Sequence, residues 1–145
     1  MKEKQTMTYT ELKAKQSKEI NDFPLGAAFT QQSFEKMMKK WGLTTSKEDC
    51  KKILSLGCGC YIRKADEADF DRLTEKHQQE RVEFLATDEG LKDALQYEFG
   101  NQECGYTWIF EDGIKALGFN VEKFLSNKHN AKVFEEAKQE YINKM

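Results

Sequence analysis

The residues of this chain best suited to hold a metal or act as a nucleophile are four cysteines and two histidines: Cys50, Cys58, Cys60, Cys104, His77 and His129. Cys58 and Cys60 sit in "SLGCGCYIRK", residues 55–64, where Gly57 and Gly59 alternate with them. Two apart in one strand, their thiols would share a face. A structural zinc takes four ligands, usually as two spaced pairs such as Cys-x2-Cys. The second pair is missing here, and Cys50, Cys104 or His77 could supply it only through the fold. Cysteine is also a small residue that tolerates burial, and a glycine pair suits a tight turn. The expectation is a turn, with no metal. His77 falls on the inner side of a long helical stretch, where a hydrogen-bonded core or boundary histidine is expected. His129, in "SNKHNAK", is expected to be exposed.

Other catalytic signatures are absent. The chain has no Gly-x-Ser-x-Gly, no Walker loop, no Gly-x-Gly-x-x-Gly and no His-Glu-x-x-His. "GCG" lacks the lysine and helix start that let a glycine loop cradle phosphate. The acids of "ADEADFD" fall at a helix N-terminus, where negative charge is stabilising in any case. No catalytic residue and no cofactor is expected. Two polar segments could instead bind something. Arg63 and Lys64 close the Gly-rich segment. Asn101, Gln102 and Glu103 interrupt two aromatic runs in "YEFGNQECGYTW", backed by Tyr97, Tyr106 and Trp108. An ordinary polar connection between two elements is the plainer account of residues 101–103.

These residues need a scaffold. Apolar residues are 39% and aromatics 12% of the 145, enough for a real core and against disorder. One proline and no Ser/Gly-rich linker predict a single domain over residues 1–145: a surface helix over 1–21, a core over 22–119 and a C-terminal helical segment over 120–145. The net charge of −2 gives no basic footprint for nucleic acid, so none is expected as a partner. No stretch is apolar enough for a membrane span. "MKEKQTMTYTELK" has no apolar run resembling an export signal, which predicts a cytoplasmic protein with reduced cysteines.

The elements follow from periodicity and punctuation. A first helix is predicted over 7–21, with Pro24 stopping it and residues 25–29 extended. Thr30 should cap a helix whose Phe34, Met37, Met38 and Trp41 repeat at i, i+3, i+4 and i+7, marking a core stripe that Gly42 ends. Thr45 and Glu48 have capping-box spacing before a short helix. "ILSLGCGCYIRK" predicts a β-hairpin. "ADEADFDRLTEKHQQERVEFLA" predicts a long helix with Phe70, Leu73, His77 and Phe84 or Leu85 inward. Residues 88–99 predict another, ended by Gly100. "GYTWIF" is dense in β-formers and predicts a strand. A helical turn closed by Gly118, a short helix capped by Asn120 and a helix over about 130–143 complete the chain. The predicted class is α+β, mostly helical around a small antiparallel sheet.

"FPLGAAFTQQSFEKMMKKWGL", "LSLGCGCYIRK" and "YEFGNQECGYTWIFEDGIKALGF" together resemble a family of small bacterial and phage-associated proteins with no established activity. That family has a Gly-rich segment followed by an Arg-Lys-like pair, and a "YE(L/F)xNHE" segment before a "DALxxLGL"-like helix. The resemblance covers roughly residues 22–119. It implies no catalytic residue. It places glycine where this chain has Cys58 and Cys60, which favours the turn. Its Asn-His-Glu matches Asn101 and Glu103, with Gln102 where the histidine would stand. The expected function is a small cytoplasmic binding or regulatory protein, encoded on a mobile element, whose partner is another protein. The competing expectation is a small enzyme or ligand binder with a pocket near the Gly-rich turn and the 101–103 loop. An exposed aromatic patch would favour the first; a deep pocket would favour the second.

Overall fold

The structure, a computed structural model, describes residues 7–145; residues 1–6 of the predicted N-terminal segment lie outside it. The described chain is α+β, as expected: helices α1–α9 and one three-stranded antiparallel sheet. It divides into two compact units. One comprises the chain up to Ala14 with Gln79–Met145, the other Lys15–Gln78. Helix α1 (Tyr9–Asp22) and helix α4 (Glu67–Leu85) each contribute to both.

The Lys15–Gln78 unit holds the whole sheet. Strand β1 (Gly26–Ala27) follows Pro24, β2 (Ile53–Gly57) and β3 (Cys60–Arg63) form the hairpin, and β3 lies in the middle. Ile53 pairs with Arg63, Leu54 with Ile62, Ser55 with Tyr61 and Gly57 with Cys60, so Leu56 is an extra, bulged residue. Cys58 and Gly59 form the two-residue turn, with φ of 53° and 77°. Positive φ at both central positions is the type I′ signature, whose twist matches the flanking strands. The expected turn is therefore present, and both Gly57 and Gly59 have positive φ.

Helix α2 (Gln31–Lys40) starts at Thr30, whose hydroxyl accepts the Ser33 N–H in a capping box. Its Met37 and Met38 are buried, while Phe34 and Trp41 are half-buried against them. Helix α3 (Lys47–Cys50) corrects the sequence expectation: Ser46, not Thr45, caps it, accepting from the Asp49 N–H. Thr44 instead donates its hydroxyl to Asp49 at 2.7 Å. A 3-10 turn (Lys64–Asp66) leads into α4.

Among the described residues, the regular elements of the other unit are all helices. Helix α5 (Asp88–Asn101), capped by Thr87, runs through Gly100 rather than ending there. Its Leu91, Ala94, Leu95 and Phe99 form the centre of a core with Phe110, Ile114, Val133 and Phe134. Helix α6 (Cys104–Thr107) replaces the strand predicted for "GYTWIF". Among the described residues every strand lies in the Lys15–Gln78 unit, so this segment has no ladder to join. β-propensity reflects fit to a pleated surface more than backbone preference, and yields to that context. Helix α7 (Glu111–Ala116) lies close on α5: a Cβ on Gly113 would come within 2.7 Å of the Phe99 ring. Helix α8 (Val121–Ser126) is capped by Asn120 as expected, and α9 (Lys128–Asn143) by Asn127.

Candidate functional site

The cysteines do not gather. Cys58 is exposed on the turn, Cys50 and Cys60 are half-buried, Cys104 is buried, and all four are free thiols. Among the described residues no cysteine shares a cluster of three metal-ligating side chains. Burial raises the Cys104 thiol above its ordinary pKa, and the nearby Asp112 and Glu111 carboxylates push the same way. A raised thiol is a poor nucleophile. His77 is a boundary residue tied by hydrogen bonding: its Nε2 lies 3.0 Å from Glu19 Oε1, and its carbonyl accepts from Gln16 at 3.0 Å. His129 is exposed, as expected, with its Nε2 2.7 Å from Asp88.

Asn101, Gln102 and Glu103 link α5 to α6. Asn101 is half committed to structure, because its Nδ2 donates at 3.1 Å to the buried Glu98 carboxylate. The Gln102 N–H closes the α5 ladder on the Glu98 carbonyl at 2.8 Å. Glu103 takes a left-handed backbone, φ 55°, and Trp108 another, φ 67°. For residues other than glycine that conformation costs about 1–2 kcal/mol each. The two strained positions bracket α6.

What the end of α6 and the two residues after it display is apolar. Tyr106 is 92% exposed, Trp108 57% and Ile109 52%. The sequence predicts them in a strand, with Tyr106 and Trp108 backing the 101–103 loop; in the fold they face water. The base beneath them is rigid. Trp108 packs edge-on against Phe110 at 5.4 Å, and Phe110 against Phe99 at 5.1 Å. Met145, also exposed, has its side chain close to Gly105. The Glu103 and Glu111 carboxylates are exposed beside it. Tyr97 has a different role from the one its sequence position suggested: it packs edge-on to Tyr9 at 5.3 Å, with Lys13 over its ring.

Arg63 and Lys64 line a groove of about 340 Å³ with Trp41, Leu43, Lys51 and Lys52. Arg63 and Lys64 are adjacent in sequence and stand out there as a pair. Lys51 and Lys52 are a dozen positions away and arrive through the hairpin register, which sets Ile53 opposite Arg63. A second groove, of about 510 Å³, is lined by Asp88, Glu89, Asp93 and Glu136 around Lys92. Most of its polar groups are already engaged. Lys92 bonds Glu140 at 2.8 Å, Asp93 accepts the Tyr9 N–H at 2.6 Å, and Asp88 meets His129. Among the described residues no helix is long and apolar enough to cross a membrane.

The architecture defines an α+β protein with a small antiparallel sheet, an aromatic display on one unit and a basic groove on the other. The chain belongs to the family described as "Family of unknown function (DUF7659)", whose model matches residues 8–140. No curated protein and no solved structure matches it.

Proposed function

We propose that this is a binding protein without catalytic activity, and that it docks another protein through the patch of Tyr106, Trp108 and Ile109. The observation that carries this is the exposure of three large apolar side chains within four residues, on the last turn of α6 and the two residues after it, with left-handed backbone at Glu103 and at Trp108 itself. Aromatic side chains held rigidly in water are the anchors of interface hot spots. Backbone strain persists where the surroundings over-determine it, and it clusters at functional positions. The exposed Glu103 and Glu111 give the patch an acidic rim, so the partner has an apolar pocket fringed by Lys or Arg.

Four unpaired cysteines fit a reducing compartment, so we place the protein in the cytoplasm. A mobile-element origin is carried over from the resemblance of its three sequence segments.

The test is a Tyr106→Ser, Ile109→Ser variant compared with wild type in quantitative affinity purification from the native host. The variant should melt within about 2 °C of wild type, since exposed positions carry little stability. It should lose a partner that wild type retains in stoichiometric amount. Equal recovery of that partner by both proteins would refute the patch.

A further inference from the structure

We propose that the groove walled by Trp41 and Leu43 is a binding site for a phosphate monoester that carries a ring, of nucleoside monophosphate size. It lies in the Lys15–Gln78 unit and shares no residue with the α6 patch. Four cations line it: Lys51, Lys52, Arg63 and Lys64, with no carboxylate among the lining residues. Two of the cations are paired with acids outside the lining. Lys52 Nζ bonds Asp49 at 3.0 Å and Arg63 Nε bonds Asp66 at 2.8 Å. Among the described residues Lys51 and Lys64 have no acidic partner. The Lys64 N–H donates to the Lys52 carbonyl at 2.8 Å, so the backbone pins the two cationic segments side by side. Two uncompensated positive charges match a phosphate monoester, which carries about −1.5 to −2 at neutral pH.

The rest of the wall is apolar. Trp41 and Leu43 offer a surface for a ring, and the Arg63 guanidinium lies 5.9 Å from the Trp41 ring centre, adding a flat cation. The volume of about 340 Å³ falls at the small end of the range for ligand pockets. Bare phosphate would leave Trp41 and Leu43 unused, and an uncharged ring would leave Lys51 and Lys64 unpaired. A molecule with both parts uses the whole groove.

Trp41 and Trp108 are the two tryptophans of the chain, so their indole N–H signals in proton–nitrogen spectra report the groove and a control site separately. Adenosine monophosphate is the probe, with adenosine and inorganic phosphate as its two halves. Adenosine monophosphate should move the Trp41 signal and not the Trp108 signal, with a dissociation constant of about 1 mM or lower. Each half should bind at least about tenfold more weakly, and added salt should weaken the nucleotide further. Lys51→Ala with Lys64→Ala should cost at least about tenfold in affinity at unchanged melting temperature, and Lys64→Glu alone should do the same. A Trp41 signal unmoved by about 10 mM nucleotide would overturn the site. So would lysine variants that bind like wild type, or phosphate binding as tightly as the nucleotide.

Discussion

Glu19, on α1, ties that helix to α4 within the Lys15–Gln78 unit. Lys76 Nζ donates to its Oε2 at 2.7 Å and His77 sits 3.0 Å from its Oε1. The Lys76 hydrogen bond, helped by His77, lowers its pKa from 4.5 to about 2. A lowered folded-state pKa means stability that is fully present above about 4.5. It is lost as pH falls toward about 2, because the unfolded chain takes up the proton first. Glu19→Gln should therefore flatten the acid limb of a stability–pH curve measured by urea melts between those values. An unchanged limb would mean the contacts are not held in solution. The turn residues give a second test. Gly59 combines φ of 77° with crowding, since a Cβ there would meet the Phe29 ring at 2.5 Å. Gly59→Val should cost at least about 2 kcal/mol. Cys58→Asn should be neutral or gain up to about 1 kcal/mol, because Asn-Gly is the preferred type I′ pair. Cys58→Ser with Cys60→Ala should leave the fold intact, since neither thiol has a partner cysteine. Stoichiometric zinc in the purified protein, with unfolding on chelation, would contradict the turn account.

At the scale of elements, α2 and α6 show opposite sides of one rule. The α2 stripe was legible because its apolar residues repeat at the helical period, and Met37 and Met38 are indeed buried. Depth within the stripe was not legible, because it depends on what packs opposite. Met38, fully buried, should lose about 2–5 kcal/mol on mutation to Ala, and half-buried Phe34 less than Met38. Chemical denaturation of both variants checks the order. The hairpin was legible for a local reason: two glycines between β-rich runs have few other uses. "GYTWIF" reads as a strand because its β-formers say how well it would fit a sheet, yet among the described residues its unit has no strand to pair with. The left-handed Glu103 that turns the chain there leaves no sequence mark, as glutamate is an unusual residue for that conformation. Glu103→Gly should stabilise by about 1 kcal/mol in the same assay, through relief of that strain. A loss would show that the backbone there is not left-handed. Arg63 and Lys64 were visible as a pair, but their companions Lys51 and Lys52 needed the register of β2 against β3.

At the scale of the whole chain, the net charge of −2 sets the limits of its partners. The basic groove of the Lys15–Gln78 unit is a short pocket in which Lys52 and Arg63 are paired with Asp49 and Asp66, not a stripe that could track a phosphate backbone. Duplex DNA should bind weakly and without sequence preference, and sub-micromolar binding in a gel shift at physiological salt would contradict this. The central claim is that α6 exists to meet another protein. The most direct measurement is photo-crosslinking in the native host from a reactive residue placed at position 106, beside a control at exposed Lys115 on α7. Position 106 should give one discrete protein adduct that position 115 does not, and Trp108→Ala should abolish it. No adduct, or the same adducts from both positions, would contradict the claim.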